Sequence, residues 1–259
     1  MPLDLDRTLR DTFVARAEHH PSLASTNNRA AELTARDGPL PLLVVADRQT
    51  AGRGRGANRW WTGPGALAFS LLVDGRTIGA HDGRSPLVAL AVAVAVVDAV
   101  APLLPAQTLG IHWPNDVMAA GRKLAGILIE VLPDRRHVIG IGLNTNNSLT
   151  DAPAELQSTA VTLRDLGQAT VDQTAILIEL LKGLEEQFHH LCREPQSVAA
   201  RADALCLQRG QTLTLQAAGR TVTGCCQGIA GDGRILLQTS GGTEAFFSAT
   251  ILPSLEACR

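Results

Sequence analysis

The run Ile111-His112-Trp113-Pro114-Asn115-Asp116, continued by Gly121-Arg122-Lys123-Leu124-Ala125-Gly126-Ile127-Leu128-Ile129-Glu130-Val131 and closed by Val138-Ile139-Gly140-Ile141-Gly142-Leu143, decides the fold. Its apolar segments are short and separated by turn signals. They predict a strand near 111–113, an Asn-Asp turn, a strand over 124–131, a turn at Pro133-Asp134 and a strand over 138–143. The last two pair as a hairpin.

Working outward, residues 25–36 read as a short helix capped by Ser25 or Thr26 and ended by Gly38-Pro39. A strand at 42–46, a Gly/Arg-rich loop over 52–65 and an alternating strand at 67–73 follow. Residues 87–104 are rich in Ala and Val, with Ser85 as N-cap, Pro86 at the first helical position and Pro105 beyond the end. Their alanines contribute little to membrane insertion and Asp98 is costly near a bilayer centre, so the segment reads as a buried helix, not a span. An amphipathic helix runs from an Asp172 cap to about Leu191, with Ile176, Leu177, Leu180, Leu181, Leu184 and Phe188 at helical spacing. Beyond Leu205 the texture changes to β segments at 212–216, 221–227, 234–238 and 244–248, spaced as in a small barrel or sandwich. The expected organisation is a mixed α/β domain over 1–203 and a small β domain over 204–259.

The chain has 259 residues, of which 45% are hydrophobic and 19% charged, with a net charge of -2. That is enough to bury a core, and it supplies no global field for nucleic acid or an anionic membrane. The five cysteines, at 192, 206, 225, 226 and 258, lack CxxC or zinc-finger spacing and read as reduced thiols. The charged first 16 residues leave no room for a secretory h-region, so the expected compartment is the cytoplasm.

Four polar stretches carry the chemistry. Gln49-Thr50-Ala51-Gly52-Arg53-Gly54-Arg55-Gly56 follows a strand and alternates glycine with arginine, which suits anion binding by backbone N–H groups and guanidiniums. It matches neither GxxxxGK[ST] nor GxGxxG. Of 23 basic residues only Lys123 and Lys182 are lysines, so a lysine at 123 points to a need for a compact ammonium near an oxyanion. Lys182 falls on the exposed side of a helix. Ser25-Thr26-Asn27 at a helix start and Gly140-Ile141-Gly142-Leu143-Asn144 at a strand end complete the set, each bland by itself.

Together and in this order, these stretches resemble the biotin protein ligases, also called biotin–[biotin carboxyl carrier protein] ligases. The resemblance rests on Ser25-Thr26-Asn27, on Gln49 with Gly52-Arg53-Gly54-Arg55 and Trp60, on Trp113-Pro114-Asn115-Asp116, on the run from Arg122 to Glu130, and on the run from Gly140 to Asn144. It implies an α/β catalytic domain with a mixed sheet, similar to that of class II aminoacyl-tRNA synthetases, followed by a small SH3-like β-barrel. The implied reaction joins biotin to ATP as biotinyl-5′-AMP and passes the biotinyl group to a lysine of a biotin carboxyl carrier protein domain, with Mg2+ accompanying the ATP. By position, Ser25, Thr26, Asn27, Gln49 and Gly126 would contact biotin. Arg53, Gly54 and Arg55 would form a loop that orders over it, with Arg55 acting in catalysis. Lys123 would face the biotin carboxylate and the α-phosphate. Asn115, Asp116 and Asn144 would line the nucleotide side with Trp60 near the adenine. No resident metal site is implied.

Two positions depart from the family pattern. His112 stands where relatives generally have lysine, and Asn58 where they often carry another basic residue, which lowers the cationic charge near the nucleotide. Only 24 residues precede Ser25, too few for the helix-turn-helix domain of ligases that also repress transcription, so a monofunctional enzyme that binds no nucleic acid is expected. A homodimer is compatible with the sequence. A lipoate–protein ligase shares the expected fold, and a non-catalytic biotin-binding module is the alternative outside enzymes; the Gly-Arg loop and Lys123-Leu124-Ala125-Gly126 favour the biotin ligase.

Overall fold

The apolar strands at the centre of the chain assemble into a seven-stranded mixed sheet. The structure, a computed structural model, describes residues 3–35, 38–80 and 86–252. The sheet contains β1 (Arg16–His20), β2 (Leu42–Ala46), β3 (Leu67–Asp74), β4 (Leu109–His112), β5 (Asp116–Ala119), β6 (Arg122–Val131) and β7 (Arg136–Leu143). Their spatial order is β1-β2-β3-β7-β6-β5-β4, parallel between β1 and β2 and antiparallel elsewhere. The expected hairpin is β6–β7. The polar sequence of β1, Arg-Ala-Glu-His-His, carries no strand pattern, and pairing with the apolar β2 brings it into the sheet.

Side-chain parity divides the two faces. Odd-numbered residues of β2, β3 and β7, such as Leu43, Phe69, Leu71, Ile139 and Ile141, face the main core. That face is covered by α3 (Pro86–Val100) and the long amphipathic α6 (Gln173–Arg193). Pro86 opens α3 as expected, whereas the expected Ser85 cap lies outside the described residues. Eleven of the fifteen residues of α3 are buried, so its apolar length is explained by the core. Asp172 caps α6, accepting from the backbone N–H groups of Thr174 and Ala175. Even-numbered residues face the other side, where α2 (Thr26–Glu32) covers Leu42, Val44, Leu72 and Val138. The short helices α1 (Leu5–Asp11), α4 (Ala154–Thr159) and α5 (Leu163–Gly167) show no apolar period long enough to be read from the sequence.

After α7 (Pro195–Ala204) the chain forms a second, antiparallel sheet of β8 (Thr212–Ala217), β9 (Arg220–Ile229), β10 (Ile235–Thr239), β11 (Gly242–Phe246) and β12 (Thr250–Leu252). The order is β11-β10-β9-β8-β12. The four strands read from the sequence are present, and β12 joins them by pairing with β8. Leu213, Leu215, Cys226, Ile235 and Leu237 belong to the same continuous core as the large sheet, so the two sheets share one apolar interior. Cys192, Cys206 and Cys226 are free as expected, but Cys225 is disulfide-bonded.

Phe69, fully buried on the interior strand β3, tests this core. Phe69→Ala should lower the urea-unfolding free energy by about 3–5 kcal/mol; a loss below about 1 kcal/mol would show that the α3 face is not tightly packed there.

Candidate active site

Strand registers place a row of small residues across the even-numbered face. Ala46 pairs with Ala68, Ala68 with Gly142, and Gly142 with Gly126. The adjacent row runs Val44, Ser70, Gly140 and Leu128. Glycine in a strand interior weakens the strand unless something must approach the backbone closely. Here something does. A Cβ on Gly142 would lie 2.2 Å from Cε2 of Trp60, and one on Gly140 would lie 2.0 Å from Oδ1 of Asn27. The indole of Trp60 also covers Gly126, where a Cβ would meet its Cζ3 at 3.0 Å. The sheet thus offers a flat floor with Trp60 lying on it.

One wall of this floor is the start of α2. Ser25, Thr26 and Asn27 are all buried there. Ser25 occupies the N-cap position, but its side chain makes no cap bond, contrary to the sequence expectation. The free N–H of Thr26 is taken instead by the side chain of Gln49, 23 residues away, whose Oε1 accepts at 2.9 Å. Gln49 also accepts from the Thr26 hydroxyl at 3.2 Å and donates to Thr62 Oγ1 at 3.2 Å. Ser70 Oγ lies 2.7 Å from Thr26 Oγ1 and 2.6 Å from Asn27 Oδ1, its single proton serving one of them at a time. Asn27 in turn donates to Glu130 Oε2 at 2.7 Å. Ser70 was missed from the sequence. The available signal was one hydroxyl within the otherwise apolar Leu67–Val73 run.

The Gly/Arg loop is tied down at Arg53 and at Arg55. Arg53 makes a two-pronged ion pair with Glu130, including an Nη1–Oε1 bond of 2.8 Å. Arg55 reaches the other way and donates to the backbone carbonyl of Ala249 in the second sheet. It is half-buried; desolvation holds its pKa below the ordinary guanidinium value, and Asp116 opposes that effect. Gly54 sits where a Cβ would press on Asn58 at 3.2 Å.

Lys123 lies at the end of the floor. Its Nζ is 2.7 Å from Asp116 Oδ1 and 5.8 Å from the centroid of the Trp60 ring. The ammonium borders two hollows. One, of about 260 Å3, is lined by Arg55, His112, Asn115, Asp116 and Gly126, and by Ala249, Thr250 and Ile251 of the second sheet. The other, of about 950 Å3, is lined by Gln49, Gly52, Trp61 and Thr62, and by Asp151 and Glu155 at α4. Trp60 lines both. Asn115 is fixed by Ile127, to whose carbonyl its Nδ2 donates at 2.9 Å and from whose N–H its own carbonyl accepts at 3.0 Å. Asn144 stands apart from the lining of either hollow. It is buried, its backbone carbonyl accepts from Leu163 N–H, and its Oδ1 accepts from Asn147 at 3.2 Å. Lys182 pairs with Glu179 on the exposed side of α6, as expected.

Comparison with known proteins gives this arrangement a lineage. Residues 20–146 match the biotin/lipoate A/B protein ligase family. The chain is 36% identical over 256 residues to the biotin–[acetyl-CoA-carboxylase] ligase of Mycobacterium tuberculosis, covering 93% of this chain and 92% of that one. The chain belongs to the biotin protein ligases. A bifunctional ligase/repressor of Bacillus subtilis is 31% identical, covering 90% of this chain and 72% of its own. Among solved structures, a biotin protein ligase from Aquifex aeolicus in complex with biotin and ATP superimposes with a TM-score of 0.81, 25% identity, and coverage of 93% and 100%. The mixed α/β fold with a C-terminal β sheet is thus the biotin protein ligase fold.

His112, which departs from the family pattern, pairs in register with Asp116 across the β4–β5 turn. Burial lowers its pKa from the ordinary 6.5; Asp116 opposes this and Lys123 adds to it. His137 is lowered too, again chiefly by burial. Both imidazoles are therefore neutral at pH 7. Below about pH 6.5 the unfolded chain takes up protons that the folded chain resists, so stability falls as pH drops toward the folded-state values. The urea midpoint should decline between pH 7.5 and 5, and His112→Gln should decline less steeply. Equal slopes in the two proteins would refute the assignment for His112.

Proposed function

We propose that this biotin protein ligase activates biotin with MgATP to biotinyl-5′-AMP and transfers the biotinyl group to a lysine of a biotin carboxyl carrier protein domain. The observation that carries the reading is Lys123, an ammonium bordering two hollows at the end of a glycine floor. Joining two anions requires a cation already in place where charge builds on phosphorus. An ion pair with Asp116 orients that cation.

In this reading biotin rests on the glycine floor once the Trp60 indole, which covers Gly126 and Gly142, has moved aside. Ser25, Thr26, Asn27 and Gln49 supply polar contacts at one side, Gly126 gives close approach, and Lys123 meets the carboxylate. A carboxylate oxygen attacks the α-phosphorus and the bond to pyrophosphate breaks. Asn115 and Asp116 serve the nucleotide with Trp60 near the adenine, and Asn144 supports that side through the turn it holds. Arg53, Gly54 and Arg55 form the covering loop, with Arg55 beside the reacting phosphate once released from Ala249. The amine of the acceptor lysine then attacks the acyl carbon, AMP leaves, and one proton is lost. Water must be kept from the acyl-adenylate meanwhile, which a closing loop achieves.

Among the described residues no group of three or more His, Cys, Asp or Glu is gathered as a metal site, and the Asp116 carboxylate is already engaged by Lys123. In this reading Mg2+ enters as part of the MgATP substrate.

A purified carrier domain incubated with the protein, biotin and MgATP should gain the mass of one biotinyl group; no gain, with no pyrophosphate released, would overturn the reading. Lys123→Ala should lower pyrophosphate release by about 10²–10³-fold with the fold intact, and a variant keeping half the activity would remove Lys123 from its role. Gly142→Ala, at a position whose φ is not positive, should keep the fold but weaken biotin binding by about 10-fold or more, because its methyl displaces Trp60 and raises the floor. Calorimetric titration with biotin checks this, and unchanged affinity would move biotin off the floor.

A further inference from the structure

The seven-stranded sheet ends on β4, and residues 205–207 run beside that strand as a short parallel partner. The Ile111 N–H donates to Leu205 O at 2.8 Å and the Leu207 N–H to Ile111 O at 3.1 Å. The next residue of this line whose N–H and C=O point the same way is Trp113. There the side-chain amide of Gln208 takes the place of a backbone partner. Its Oε1 accepts from Trp113 N–H at 2.8 Å and its Nε2 donates to Trp113 O at 3.3 Å. A primary amide presents the same donor and acceptor as a peptide unit, so Gln208 extends the ladder by one step. Gln208 is 1% exposed and Trp113 fully buried, so water does not substitute readily for this pair. The Trp113 indole is held from the same side, donating to Gly233 O at 3.0 Å.

We infer that Gln208 is a positioning residue for the nucleotide side of the site. It fixes the turn 113–116, from which Asn115 and Asp116 reach the cleft. The inference rests on the function proposed above. The turn is clamped on two flanks, by Gln208 at the sheet edge and by Ile127 inside through Asn115. Removing Gln208 frees one flank and leaves two buried backbone groups unpaired, and the Asp116 carboxylate that orients Lys123 lies three residues on. The biotin wall of Thr26, Asn27, Gln49 and Ser70 is a separate hydrogen-bonded group on the far side of β6 and β7. The effect on the two substrates is therefore unequal.

The test measures KM for ATP, biotin affinity without ATP, and hydrogen exchange over 112–116 in the full chain. Gln208→Leu should raise KM for ATP about 10-fold or more, leave biotin affinity within about twofold, and speed exchange over 112–116. Gln208→Glu supplies a readout that general destabilisation does not move. Burial raises the pKa of the introduced carboxyl, and its protonated form restores both the donor and the acceptor. Its KM for ATP, relative to wild type at each pH, should recover as pH falls from 8 to 6, with no recovery in Gln208→Leu. An unchanged KM for ATP, an equal weakening of both substrates, or a flat pH response of Gln208→Glu would each overturn the inference. Should Gln208→Leu fail to fold, the Gln208→Glu series decides alone. A wild-type protein that releases no pyrophosphate would refute the proposed function instead, and exchange over 112–116 would still decide whether Gln208 fixes the turn.

Discussion

The arrangement depends on an absence of side-chain volume on one face of four strands. Ala46, Ala68, Gly142 and Gly126 stand in register, and the Trp60 ring lies against the backbone of the two glycines. Glycine costs about 0.5–1 kcal/mol in a strand interior relative to alanine. The central strands recover that loss on their other face, where Phe69, Ile141 and Ile127 pack beneath α3. One sheet thus carries a dense apolar side and a bare polar-rimmed side, and the proposed ligase site lies on the second.

The electrostatics follow the same economy. The positive charges nearest the floor have partners within the protein: Arg53 on Glu130, Arg55 on a backbone carbonyl, Lys123 on Asp116. Each of these pairs is partly open to solvent, so it orients the cation without locking it away. An incoming anion can exchange with such partners at modest cost. His112, held neutral by burial, keeps a second charge from competing with Lys123 at that spot.

What could be read from the sequence was whatever depended on neighbours along the chain. Leu42–Ala46 is a continuous apolar run and was legible as a strand; Asp172 and the period-3.6 apolar row after it announced α6. Lys123 stood out because the rest of the chain uses arginine. The illegible parts depend on partners remote in sequence. Ser25 looks like a capping residue, yet the helix N–H it would serve is taken by Gln49. Ser70 has meaning only because β3 lies next to β7 and beneath α2. Asn144 reads as a polar contact at a strand end, but the chain beyond it folds back and tucks it under α5. Gln208 is an ordinary residue in an unpatterned stretch until the edge of β4 is brought against it.

The register Gly126↔Gly142 also ties the accuracy of folding to chemical competence. Because side chains alternate, a one-residue slip of either strand would turn Ile127 or Ile141 onto the floor and glycine into the core. Such a misfolded species would lose packing and binding surface at once, so it could persist neither as a stable decoy nor as an active variant. Evolution therefore has little freedom to retune this enzyme through its central hairpin.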